Sequence, residues 1–225
     1  MPLLSVIIPV YNEEKTIREI LQKIDAVPID KEMIVVDDGS SDETGRILRD
    51  IRIDGLKVIH HATNRGKGAA VLTGVSHAIG DFVIIQDADL EYDPNDYFKL
   101  FESLKKNNAD IVLGARFIKG YKGLFIHKLG NRLLTNLLNL LFNTRLNDCF
   151  TCYKLLRRQT INDLDLSASG FDIEIEIIAK ALNKKLRIAE QFISYRPRSY
   201  SEGKKIRCKD GLRAVMSIFK YRLAK

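Results

Sequence analysis

The sequence predicts an α/β fold, a mostly parallel sheet covered by helices on both faces. Three observations predict it. Short β-rich apolar runs alternate with segments of helical spacing through the first half of the chain. Successive apolar runs end in clusters of Asp, Asn, Gly and Ser, the residues of turns. The chain has 225 residues, 45% of them hydrophobic and 29% charged, enough for one large core.

Taken in order, residues 4–10 form the first strand, ended by Pro9 and Asn12. Residues 13–27 have helical spacing, with Ile17, Ile20, Leu21 and Ile24 on one face. A second strand at 33–36 runs into Asp37-Asp38-Gly39. Ser41-Asp42-Glu43-Thr44 supplies N-cap chemistry for a helix carrying Ile47, Leu48 and Ile51. Residues 56–60 read as a third strand, 64–68 as a loop, 69–78 as a helix and 82–86 as a fourth strand. Pro94 opens a helix to about Lys106, and 111–113 read as a fifth strand. Beyond Arg116 the alternation changes. A loop at 120–123 precedes a leucine-rich helix at 130–143, then a helix at 171–182, a strand at 186–194 and a terminal helix at 210–224. No linker or repeat divides the chain, so the second half is expected to build onto the same sheet.

Charge is unevenly spread. The chain carries +7, yet thirteen Lys and Arg face three acids from Lys184 onward, which leaves residues 1–183 at −3. A basic C-terminal part suits phosphates or an anionic membrane surface. Nucleic acid is not the expected partner, since the basic residues lack interleaved aromatics and no Trp is present. Three cysteines make no even disulfide framework. Cys149 and Cys152 have half-zinc spacing without a second pair, and His60, His61, His77 and His127 are not at metal-ligand spacing. Reduced, packed cysteines fit a cytoplasmic protein. The N-terminal residues read as a strand rather than a leader, and no run approaches the roughly 18 apolar residues a membrane span needs. Any membrane attachment is expected to be peripheral.

The chemistry concentrates at 82–89, where four apolar residues lead into Asp87-Ala88-Asp89. On an extended strand, residues i and i+2 point to one side. Two carboxylates would then stand together at a strand's carboxyl end, where open α/β sheets bind ligands. They repel unless a cation or proton intervenes, which points to Mg²⁺ or Mn²⁺ shared with phosphates; an acidic surface turn is the alternative. Clusters at 9–14 and 37–42 fall at the ends of other strands, and a parallel sheet would bring all three together. Lys67, between Gly66 and Gly68, begins a helix. The pattern lacks the spacing of a Walker loop, and an anion-binding turn and a purely structural one both remain open.

The stretches SVIIPVYNEE (5–14), IVVDDGSSDET (34–44), NRGKGAAVLTG (64–74), GDFVIIQDADL (80–90), GARF (114–117) and RSYSEGKKI (198–206) resemble inverting family-2 glycosyltransferases of the GT-A fold, close to the polyprenyl-phosphate sugar synthases. The resemblance implies a GT-A (Rossmann-like) sheet with a C-terminal acceptor-side extension. Residues 1–225 would form one domain, with a nucleotide-sugar half at 1–117 and an acceptor half at 118–225. It implies that Pro9, Tyr11 and Glu13 line a nucleoside pocket, that Asp38 accepts a hydrogen bond from base or sugar, and that Val36 and Ala88 lie nearby. Asp87 and Asp89 would hold the metal and diphosphate. Glu91, where many relatives have Gln, would complete the metal's shell. Arg116 and Arg198 would contact phosphates as planar forks.

The activity implied is transfer of mannose or glucose from a GDP- or UDP-sugar to a polyprenyl phosphate at the cytosolic face of a membrane. An anionic phosphate acceptor needs no general base. A glycan hydroxyl needs one, for which Asp148, Asp172 and Glu174 are the candidates. The leucine-rich helix and the basic terminal helix, with Leu212, Val215, Met216, Ile218 and Phe219 beside Arg213, Lys220 and Arg222, suit a membrane surface or packing on the sheet.

Overall fold

The computed structural model describes residues 3–116, 125–198 and 208–223. The expectations for Phe117, for the loop at 120–123 and for 199–206 lie outside these residues. A seven-stranded sheet organises the chain, built from β1 (Leu4–Val10), β2 (Lys31–Asp37), β3 (Leu56–His60), β4 (Phe82–Ile85), β5 (Ile111–Ala115), β6 (Lys154–Arg157) and β7 (Ile188–Phe192). Their order is β3-β2-β1-β4-β6-β5-β7. β1 pairs parallel with β2 and β4, with Val10 opposite Asp37 and Ile7 opposite Ile85. β6 is antiparallel to both β4 and β5, and β7 is parallel to β5.

The helices are α1 (Ile17–Asp25), α2 (Thr44–Asp50), α3 (Lys67–Ser76), α4 (Tyr97–Lys106), α5 (Phe125–Phe142), α6 (Arg158–Asp163), α7 (Ile173–Asn183) and α8 (Cys208–Leu223). Periodicity located all of them but α6. Ile17, Ile20, Leu21 and Ile24 of α1 are all fully buried. Each such side chain contributes roughly 1.5–3 kcal/mol. The central strands β1, β2 and β4 are nearly continuous buried apolar runs, as a sheet covered on both faces requires.

Three expectations need correction. β6 and the short α6 after it were not expected. Four residues, Lys-Leu-Leu-Arg, carry no β-branched signal and no alternation, so only pairing on both edges makes them a strand. α5 begins at Phe125 rather than Gly130, because the glycine, read as punctuation, lies inside the helix. α7 begins at Ile173, with Asp172 at its N-cap, rather than at Phe171.

Candidate active site

The chain order reverses between β1 and β4, because the strands run outward to β3 on one side and to β7 on the other. Crevices open at the carboxyl ends of strands at such a switch point. The segments after β1 and β2 meet there and bond to each other. Asn12, in the left-handed region at φ 51, donates its backbone N–H to Ser40 Oγ at 2.9 Å and accepts Ser41 N–H on Oδ1 at 2.8 Å. Glu13 N–H donates to Thr44 Oγ1 at 2.9 Å. The polar residues at 12–14 and 40–44 thus tie one loop to the next.

The Asp87–Glu91 turn follows β4. Gln86 is fully buried and holds it from below. Gln86 accepts Tyr97 OH at 2.7 Å and Tyr153 OH at 2.6 Å on Oε1, and donates Nε2 to Asp87 O at 2.9 Å. Leu90 sits at φ 62, a strain of about 1–3 kcal/mol for such a residue. Packing of Leu90 on the core and the Glu91 N–H bond to Asp89 Oδ1 at 3.1 Å oppose that strain.

Asp87 and Asp89 each have a cationic partner. Lys67 Nζ lies 2.7 Å from Asp87 Oδ1 and 2.9 Å from Glu174 Oε1. Arg198 Nη2 lies 2.9 Å from Asp89 Oδ2, and its Nη1 lies 3.1 Å from Glu13 Oε2. Glu13 is therefore ion-paired within the site rather than only lining a pocket. Burial would push Asp87 up, but the Lys67 ammonium outweighs it and holds the carboxyl below its ordinary range. Asp89 goes the other way. Burial, then the charges of Asp87 and Glu91, push it up to about 7 against the opposing Arg198.

This crowding of hard anionic oxygens is what a divalent cation relieves, so Asp87 and Asp89 fit Mg²⁺ or Mn²⁺. Glu91 is turned elsewhere. Its oxygens accept Tyr195 OH and Arg198 N–H, both at 2.7 Å. Among the described residues no three His, Cys, Asp or Glu side chains gather around one ion position. Two carboxylates with substrate phosphate and water oxygens suffice for Mg²⁺.

Arg198 arrives because the segment after β7 runs beside the turn. Tyr92 and Tyr195 form a bridge with rings 5.3 Å apart, and Arg196 N–H donates to Glu91 O at 2.8 Å. Arg116, at the end of β5, is fixed by Asp148, which is fully buried. Nε and Nη2 donate to the two carboxylate oxygens at 2.7 and 2.9 Å. The guanidinium also stacks on Tyr195, 5.2 Å from the ring centroid. Asp148 is thus an anchor for arginine rather than an available base. Glu174 is likewise buried and paired, with Lys67 on one oxygen and the fully buried Lys154 on the other. Of the three base candidates only Asp172 forms no ion pair with a described residue.

Pro9 and Tyr11 are partly exposed at the crevice edge, and Ala88 is buried between the two aspartates. Val36 is fully buried within the sheet. Asp38 is 3% exposed, and its carboxylate is engaged by His61 Nδ1 at 2.7 Å and by the amides of Arg65 and Gly66 at 2.9 and 2.7 Å. In this structure Asp38 organises the loop before α3. Cys149 and Cys152 are buried free thiols, and burial pushes Cys149 up to about 12.

Sequence reasoning left Lys67 unassigned and missed Gln86, Lys154 and Tyr195. The Gly-Lys-Gly pattern was the signal for Lys67. Its glycines serve close packing. A Cβ on Gly66 or Gly68 would lie 2.4 Å from Ser169 O or 2.1 Å from Ala168 O, and Gly66 has φ 97. Nothing in the local sequence marks the other three.

Comparison with known proteins bears on the family and the fold. The family described as Glycosyl transferase family 2 matches residues 5–165. The dolichol-phosphate mannosyltransferase of Pyrococcus furiosus is 32% identical over 81% of this chain and 54% of its own length. The polyprenol monophosphomannose synthase of Mycolicibacterium smegmatis is 27% identical over 88% of this chain and 79% of its own. The chain spans about half the length of the first curated relatives it matches. Glucosyl-3-phosphoglycerate synthase from Mycobacterium tuberculosis, crystallised with Mn²⁺, UDP and phosphoglyceric acid, superposes with a TM-score of 0.76. It is 20% identical and covers 99% of this chain and 79% of that one, a likeness of fold.

Proposed function

The chain belongs to glycosyl transferase family 2, and from that premise we propose that it moves a sugar, mannose or glucose, from a GDP- or UDP-sugar to a polyprenyl phosphate with inversion. The observation that carries the reading is the meeting of Asp87, Asp89, Glu13 and Arg198 at the β1/β4 switch point. The names of the Pyrococcus and Mycolicibacterium relatives support the lipid-phosphate acceptor.

The leaving group is a nucleoside diphosphate, and negative charge grows on it as the glycosidic bond breaks. Mg²⁺ or Mn²⁺ held by Asp87 and Asp89 would supply fixed positive charge there. Arg198, already anchored by two carboxylates, donates to the same oxygens as charge develops. Arg116 is held in one orientation by Asp148 and Tyr195, which would lower the cost of its binding a phosphate. Tyr11 offers an aromatic face to the nucleoside. The acceptor phosphate attacks the anomeric carbon from the side opposite the diphosphate. Its oxygen is anionic at neutral pH, so no carboxylate must take a proton. The pairing of Asp148 and Glu174 supports such an acceptor over a hydroxyl.

A peripheral position on the cytosolic membrane face accords with α5 and α8. Both helices bury one side, with Leu138, Ala214 and Ile218 inward. Arg222 Nε ties them together by donating to Leu141 O at 2.7 Å. Leu129, Leu133 and Leu140 of α5 and Leu212, Met216, Phe219 and Leu223 of α8 are exposed. In sequence the two helices carry six Lys and Arg against Asp210 alone. No described helix is long and apolar enough to cross a membrane.

The test is incubation with Mn²⁺, labelled GDP- and UDP-sugars and a polyprenyl phosphate. Label should enter the organic phase. Product confined to the aqueous phase would favour a glycan acceptor, and nucleotide release without glycosylated product would remove the transferase reading.

A further inference from the structure

The Lys67 ammonium stands against the acidic turn. Its Nζ bridges Asp87 and Glu174 at 2.7 and 2.9 Å, with the side chain only 11% exposed. The position is built. Gly66 and Gly68 lie too close to the carbonyls of 168–169 for any side chain, and Ala69 N–H donates to Ser169 O at 3.1 Å. The start of α3, and with it Lys67, is thereby pinned against the segment before α7. Glu174 is itself held by Lys154, whose Nζ also donates to Thr151 O. Four charges of alternating sign, Asp87, Lys67, Glu174 and Lys154, run from the crevice into the core.

An ammonium and a divalent cation cannot both lie against the same face of one carboxylate without strong repulsion. Resting on the proposed cation at Asp87 and Asp89, we infer that Lys67 competes with that cation for Asp87, and that Glu174 is the second anchor onto which Lys67 withdraws when the cation binds. Lys67 is in this sense a positioning residue. It neutralises Asp87 in the free enzyme and sets how tightly metal is held. The shared geometry makes the exchange short, because Lys67 already contacts both carboxylates. Arg198 at Asp89 differs in that Glu13, a carboxylate it also pairs with, lies within the same crevice.

The test is Mn²⁺ binding without sugar nucleotide, read from the paramagnetic resonance signal of the free aquo ion. Lys67→Met should tighten binding roughly tenfold or more, because a like charge beside the ligand is removed. Lys67→Gln, which keeps polarity if the apolar variant folds poorly, should change it in the same direction. The Glu174→Gln, Lys154→Met pair leaves no buried ammonium alone and should weaken Mn²⁺ binding, because Lys67 then rests on Asp87 only. Unchanged or weaker binding in both Lys67 variants, with the wild type still taking up Mn²⁺, overturns the competition and leaves the proposed function standing. Unchanged affinity in the Glu174 pair removes Glu174 as the second anchor. No uptake by wild type or variants removes the cation from the proposed function, and the competition with it.

Discussion

Asp148 and Asp172 show how little an acidic residue's identity says about its task. Both read in sequence as bases for a hydroxyl acceptor. Asp148 is fully buried and bidentate on Arg116, so Asp148→Asn should take the charged partner from a buried ion pair and lower stability by about 3–5 kcal/mol. Denaturant unfolding measures this. Asp172 forms no such pair among the described residues, and if the acceptor is a phosphate, Asp172→Asn should keep turnover within about threefold of wild type. A loss of a hundredfold or more would return a general base, and with it a hydroxyl acceptor, to consideration. Asp87 and Asp89 were readable as a pair because they stand two positions apart, although they lie in the turn after β4 and not on the extended strand that the expectation assumed. Their partners Lys67 and Arg198, 20 and 109 positions away, were not readable as partners. Replacing Asp89 with Asn should reduce turnover at least a hundredfold in the organic-phase assay while leaving the thermal midpoint near wild type.

Among the elements, α7 carries more than periodicity reveals. Its inward face is apolar, yet Glu174 and Glu176 are both buried. Glu176 accepts the amides of Ser167 and Ala168, the latter at 2.7 Å, and pairs with Lys180 at 2.9 Å. That segment is the one packed on Gly66 and Gly68. Burial would push the Glu176 carboxyl up, but these donors outweigh it and hold it below its ordinary range. The ionised form is therefore the one folding favours. Its contribution is fully present above the unfolded value, near 4.5, and fades as pH falls through the lowered folded value. Glu176→Gln should cost about 1–3 kcal/mol at pH 7, less in acid. Urea midpoints of both proteins between pH 3 and 7 should converge at the acid end. Parallel curves would mean the carboxylate's charge is not what holds the segment. β6 teaches the complementary lesson. A central strand of four residues was invisible because its neighbours, not its sequence, make it extended.

Over the whole molecule, the exposed apolar residues of α5 and α8 stand together on one pair of packed helices. Replacing Leu133 and Met216 with Asp should shift stability by no more than about 0.5 kcal/mol each, as exposed positions do. It should abolish co-sedimentation with vesicles containing anionic lipid, and binding of wild type should weaken as salt rises. Retained binding by the double variant would remove this face from the membrane reading. The basic excess beyond Lys184 was plain from composition, but which side it occupies depends on how α8 lies against α5.

The sequence by itself determined the alternation of strands and helices, the buried faces of α1 and the strands, and the polar clusters at strand ends. These depend on neighbours within a few positions, where the backbone's periodicity fixes direction. Only the tertiary structure decided that β6 separates β4 from β5, that Asp148 and Glu174 are held by cations, and that Glu13, Asp89 and Arg198 meet. Those facts depend on which distant segments the sheet order and loop packing bring within about 3 Å, where an ion pair forms in place of hydration.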